Sequence, residues 1–164
     1  MIINQSGFTL VELLITISIL VIISAITIPS FGNFSDNSVL QQQALNVTND
    51  IELVKNKALS GAYANNVGDS ANWGIVFCPG GSVNNTQYTL NAFNNTTSAW
   101  ESVTKTLTND VTFNCSAQTS WVFERLTGLP VLPAADDSIT MQKAGFTGTK
   151  TILIDHVSGR LTFN

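Results

Sequence analysis

Hydrophobic and polar positions divide the chain into three stretches. Residues 8–28 read FTLVELLITISILVIISAITI, an almost unbroken apolar run with Glu12 as its only charged group, about the length that crosses a bilayer core as a helix. Beyond Pro29, apolar residues recur at Leu40, Ala44, Val47, Ile51, Val54 and Ala58, with spacings of four and three alternating. That is the stripe of an amphipathic helix. Gln41, Gln42, Asn46, Asn49, Asp50, Glu52, Lys55 and Asn56 fill its other faces, and Ser60-Gly61 supplies a stop. The pattern predicts one helix over residues 8–59, roughly 80 Å long at 1.5 Å per residue. Its first half suits a membrane and its second half suits packing on a folded domain. Pro29 removes one backbone hydrogen bond and is expected to kink or loosen the helix. The stripe lasts under three heptads, too short to favour a coiled coil.

From Gly61 onward the period changes to two. Short β-type runs are expected at 73–77, 87–93, 103–107, 111–115, 121–126, 138–142, 151–156 and 160–163. Turn chemistry separates them at Pro79-Gly80-Gly81, Asn94-Asn95, Thr127-Gly128 and Ser158-Gly159, with gaps too short for helical crossovers, so the pairing is antiparallel. TILIDH followed by VSGRLTFN predicts a C-terminal hairpin. The fold class is α+β: a long N-terminal helix packed on an antiparallel β-sheet domain at 61–164, with 8–28 the apolar half of the helix and 29–60 its amphipathic continuation.

Composition sharpens this division. Hydrophobic residues make up 44% of the chain and charged residues 11%, yet the apolar excess lies in residues 8–28, and the remainder is rich in Asn, Thr, Ser and Gly. A net charge of −4 and a pI near 4.6 argue against a broadly basic nucleic-acid surface. Cys78 and Cys115 belong to no CxxC or Cys/His cluster. A single structural disulfide fits best, which would place the domain in an oxidising compartment; two free buried thiols are the alternative.

The order of features at the N-terminus departs from a secretory signal, in which the apolar core precedes a small-residue cleavage site. Here Ser6-Gly7 comes first, so cleavage after Gly7 would remove MIINQSG and keep the whole apolar helix. Gly7-Phe8-Thr9-Leu10-Val11-Glu12 resembles the prepilin peptidase site of type IV pilins and type II secretion pseudopilins. The resemblance implies a leader at 1–7, cleavage after Gly7, N-methylation of Phe8, and pairing of the Glu12 carboxylate with a neighbouring subunit's terminal amine to set filament register. An ionisable group within a spanning helix costs roughly 2.5–3.5 kcal/mol on insertion scales, so Glu12 calls for such a partner; snorkelling to headgroups is its blander reading. The leader lacks the Lys or Arg usual in this family. The resemblance further implies a single-pass protein of the bacterial inner membrane with its C-terminal domain in the periplasm, later moved into a pilus or pseudopilus. Its partners would be the prepilin peptidase and other major and minor pilins or pseudopilins.

The WGIVF and YTL segments resemble minor pilins and pseudopilins of the GspH/FimT type. Such a protein would be a structural, assembly-initiating subunit. Two alternatives follow: a tip adhesin, and a DNA-binding minor pilin of natural transformation. The second rests on Gly159-Arg160, similar to a Gly-Arg-x-Arg motif of FimT-type proteins, with Lys150 and Lys143 as reinforcing cations. Thr162 stands where that motif has its second arginine, and an edge-strand arginine that blocks sheet extension is the preferred reading.

Other chemistry is thin. Asp155-His156 lacks a nucleophile-elbow motif, Pro79-Gly80-Gly81-Ser82 lacks the lysine of a phosphate loop, and Asp136, Asp137 and Asp155 read as solvated acids rather than calcium ligands. Asn84-Asn85-Thr86, Asn94-Asn95-Thr96 and Asn95-Thr96-Thr97 match the glycosylation pattern but chiefly mark loops. No enzymatic activity, metal or cofactor is expected.

Overall fold

The computed structural model describes residues 7–62, 72–81, 85–94, 98–115, 117–131 and 137–164. One helix, α1 (Leu10–Leu59), is followed by eight strands: β1 (Asn72–Phe77), β2 (Gln87–Asn94), β3 (Ser98–Thr106), β4 (Val111–Phe113), β5 (Thr119–Phe123), β6 (Asp137–Lys143), β7 (Thr149–Ile154) and β8 (Leu161–Phe163). Two compact units divide between Asp36 and Asn37.

The first unit carries the start of α1. Thr9 is the N-cap: its carbonyl accepts Leu13 N–H at 3.1 Å, and its hydroxyl accepts Glu12 N–H at 3.2 Å, satisfying a donor that the first helical turn otherwise leaves orphaned. The apolar side chains around the helix from Leu10 to Ile26 are exposed on every face.

In the second unit, α1 contributes the predicted stripe. Leu40, Ala44, Val47, Ile51, Val54 and Ala58 are all 0–1% exposed and join one core with the inward faces of both sheets. The helix ends where Ser60-Gly61 forecast. Gly61 sits at φ 63°, its N–H bonds Ala58 O at 3.0 Å, and Ala62 N–H bonds Lys57 O at 3.0 Å, the paired bonds of a Schellman cap.

The strands form two four-stranded sheets, ordered β3-β2-β1-β5 and β4-β6-β7-β8, with every pairing antiparallel. All eight expected strands are present, including the C-terminal hairpin, in which Ile154 faces Leu161 and Ile152 faces Phe163. Inward residues alternate as the period predicts: Trp73, Ile75 and Phe77 on β1, Tyr88, Leu90 and Ala92 on β2, and Ile152 and Ile154 on β7. Central β1 also buries Val76 against Val122 on its other face. Phe77 meets Phe113 of the other sheet edge-on at 5.4 Å and Trp121 of its own sheet edge-on at 5.0 Å, a geometry worth roughly 0.5–1.5 kcal/mol per pair beyond burial.

Five expectations need correction. β3 begins at Ser98, well before 103, and β4 ends at Phe113, short of 115. β5 stops at Phe123 because Glu124 O turns back to accept Gly128 N–H, which leaves Leu126 at φ 71° outside the strand. β7 stops at Ile154 because Asp155 gathers the following turn, so His156 is not in a strand. Asp50, expected on a solvent face, is 9% exposed.

Candidate functional site

At the N-terminus, α1 presents an unbroken apolar surface. Phe8 is 73% exposed and Leu10 78%, yet the interspersed hydroxyls are turned back on the helix. Thr16 donates to Leu13 O at 2.8 Å, Ser18 to Leu14 O at 2.8 Å, and Ser24 to Leu20 O at 2.7 Å. Each polar group thereby meets an acceptor within its own helix, as a segment surrounded by apolar matter requires. Glu12 remains the single charge. Its carboxylate accepts the Thr9 hydroxyl at 3.4 Å, so Thr9 and Glu12 bond reciprocally across the first turn. The sequence carried this signal as Thr-x-x-Glu before an apolar run, a capping-box pattern that the cleavage-site reading passed over. Among the described residues, nothing lies within 4 Å of where a Cβ on Gly7 would be. The leader residues 1–6 lie outside the described residues. Among the described residues, no helix is long and apolar enough to cross a membrane; the described side chains of this segment stop at Ile26, whereas the apolar run of the sequence continues to Ile28.

Cys78 and Cys115 are disulfide-bonded, with Cα atoms 6.5 Å apart. The bond joins the end of β1 to the residues after β4, and so ties one sheet to the other. Cys78 itself sits at φ 53° ahead of Gly80 and Gly81, where Gly81 N–H closes the turn on Cys78 O at 2.9 Å.

The three cations considered for DNA do not converge. Lys143 ends β6 and Lys150 lies near the start of β7, opposite Met141; Lys150 sits 5.3 Å from the Phe163 ring centre. Arg160 is exposed at the far end of the β7–β8 hairpin, where its carbonyl accepts Asp155 N–H. Five residue steps along the chain separate Lys150 from Asp155, roughly 16 Å. Asp155 is absorbed by its own turn, accepting Ser158 N–H at 2.6 Å, Ser158 Oγ–H at 2.7 Å and Val157 N–H at 3.1 Å. The Ser158 backbone bond, then its hydroxyl, hold the Asp155 carboxyl below its ordinary range. Asp137 takes the Trp121 indole N–H at 2.8 Å, and Asp136 lies outside the described residues. Among the described residues, no cluster of His, Cys, Asp or Glu could hold a metal.

The polar centre that sequence reasoning missed lies inside the second unit. Asp50 on α1 accepts the Tyr88 hydroxyl at 2.6 Å and the Lys105 ammonium at 2.6 Å, bridging the helix to β2 and β3. Burial, and next the bond to Asp50, push the Tyr88 phenol well above its ordinary range. An open cleft of about 430 Å³ lies beside this triad, lined by amide and hydroxyl side chains including Gln43, Asn46, Asn49 and Thr106. Gln43 donates across it to Thr108 at 2.9 Å.

Comparison with known proteins bears on the N-terminal segment alone. The prokaryotic N-terminal methylation motif matches residues 2–28, a type IV pilin-like signal that supports the pilin and pseudopilin class. No curated protein and no solved structure matches the chain.

Proposed function

We propose that the chain is a minor pilin or pseudopilin: a non-catalytic, assembly-initiating subunit of a type IV pilus or a type II secretion pseudopilus. The observation that carries this is the methylation motif on a helix that is apolar all round, satisfies its own hydroxyls, and keeps one carboxylate in its first turn. Such a surface must be covered by lipid or by other helices. Cleavage after Gly7 by the prepilin peptidase, and methylation at Phe8, would leave a terminal amine one helical turn from Glu12. In the inner membrane lipid covers the rod; in the filament the helices of other pilin subunits do. The buried carboxylate then finds its counter-charge only in register. The disulfide fits a periplasmic domain.

The test is the intact mass and N-terminal sequence of the protein purified from membranes of its native host. We expect N-methylated Phe8 as the first residue; a start at Met1 would overturn the pilin pathway. A DNA-uptake role would need Arg160, Lys150 and Lys143 to act together, and their placement at opposite ends of the hairpin favours the structural reading. The adhesin reading has no specific observation in its favour.

A further inference from the structure

The end of the second unit where α1 terminates gathers apolar surface that the fold does not use. Leu59, Leu126, Leu129, Val131 and Val157 are 42–68% exposed, and Val157 and Leu126 are the two most exposed large hydrophobics described there. Close approaches at three glycines bring the end of α1, the 124–131 turn and the 155–159 turn together. A Cβ on Gly128 would lie 2.5 Å from Leu59 Cγ, one on Gly61 3.2 Å from Leu126 Cδ2, and one on Gly159 3.0 Å from Pro130 Cδ. Leu126 is held by its N–H to Ala58 O at 2.9 Å in a left-handed conformation at φ 71°, which a branched side chain adopts at a cost. Leu126 is 64% exposed.

Around this patch stand Lys55, Lys57, Arg125 and Arg160, four of the seven cations of a chain whose net charge is −4. Lys55 Nζ reaches Gly159 O at 2.8 Å, Lys57 lies 4.1 Å over the Trp73 ring, and Arg125 packs against Gly61. Among the described residues, the carboxylates of Glu124 and Asp155 at this end are engaged in their own turns: Glu124 accepts the Thr127 hydroxyl, and Asp155 is wrapped by Ser158. An apolar centre with a cationic rim is the anatomy of a protein interface. A nucleic-acid backbone would meet the rim but gain nothing from the aliphatic centre.

We infer that this end is a docking surface for another subunit of the same filament, one that presents aliphatic side chains flanked by carboxylates. The inference rests on the pilin reading above. The experiment places a photo-crosslinking residue at Val157, and as a control at Leu53, in the full chain produced in its native host. The expected result is a light-dependent adduct from 157, several-fold above the control, to an Asp- or Glu-flanked apolar segment of a filament subunit. Leu126→Asp and Arg160→Glu should each lower its yield about fivefold or more, with Phe8 processing and the Cys78–Cys115 bond unchanged. No adduct above the Leu53 control, an adduct to DNA, lipid or a protein outside the filament, or a yield indifferent to both substitutions overturns the inference. With Phe8 at the N-terminus such a result leaves the pilin reading standing, whereas a start at Met1 removes both.

Discussion

Asp50→Ala tests the buried triad most directly. Asp50 holds two donors, and the two losses differ. The Tyr88 hydroxyl belongs to a residue only 4% exposed, so removing its charged acceptor should cost about 1.5–3 kcal/mol. Lys105 is 41% exposed at its side chain and can return to water, so its pair contributes no more than about 0–1 kcal/mol. The sum is about 2–4 kcal/mol, or roughly 8–15 °C in Tm for a unit of this size. Tyr88→Phe should cost about 1–2 kcal/mol, because Asp50 keeps Lys105. Combined, the two substitutions should fall short of additivity by about 1 kcal/mol or more, since both remove the same bond. Urea unfolding of the full chain in detergent, followed by fluorescence of the buried Trp73 and Trp121, measures all three variants. An Asp50→Ala cost below about 0.5 kcal/mol, or strict additivity with Tyr88→Phe, would refute the argument.

Four further outcomes are expected. Glu12→Ala should be processed in part but incorporated poorly into filaments, scored by sheared-filament blots; normal incorporation would contradict a register role. Replacing Cys78 and Cys115 together by Ser should cost about 4 kcal/mol from a closed loop of 37 residues, read as a lower urea midpoint that added reductant reproduces in the parent. Gly128→Ala places a Cβ 2.5 Å from Leu59 Cγ at φ 62° and should cost about 1–3 kcal/mol in the same assay. Stability should hold a plateau at mid-range pH. The raised Tyr88 contribution is complete below 10.0, its ordinary value, and is lost as pH rises above that, whereas the lowered Asp155 contribution is present above 3.8 and is lost as pH falls below it. Tyr88→Phe should flatten the alkaline limb and Asp155→Ala the acid limb of a stability-against-pH curve.

Periodic features were legible in the sequence because single-residue spacing encodes them. The six-residue stripe from Leu40 to Ala58 and the alternation along β1 and β7 need nothing beyond the pitch of a helix and the pleat of a strand. Ser60-Gly61 was legible because only glycine enters the left-handed region freely. What stayed hidden depends on partners distant in the chain. Asp50 carries the same polarity as Asn49 and Glu52, and nothing local says that Tyr88 and Lys105, thirty-eight and fifty-five residues on, will enclose it. Division into two sheets, rather than one, turns on which edges pair, and hydropathy does not record that. Leu126 looked like the end of a strand because its conformation is fixed by Ala58 and Gly128 rather than by its own residue type. At the N-terminus the Thr9–Glu12 cap was legible but overshadowed, since one short string encodes both a peptidase site and a helix start.

The bond between Cys78 and Cys115 also decides how the chain carries a load. If the polypeptide is pulled from its two ends, tension entering at α1 and leaving at β8 crosses from Cys78 to Cys115 through sulfur. The intervening residues, which include all of β2, β3 and β4, are left slack. A stretch of 37 residues would otherwise pay out roughly 120–130 Å of extended chain. The oxidised protein therefore keeps β2, β3 and β4 out of the force path while β1 stays in it, and its reach when torn open is set by redox state.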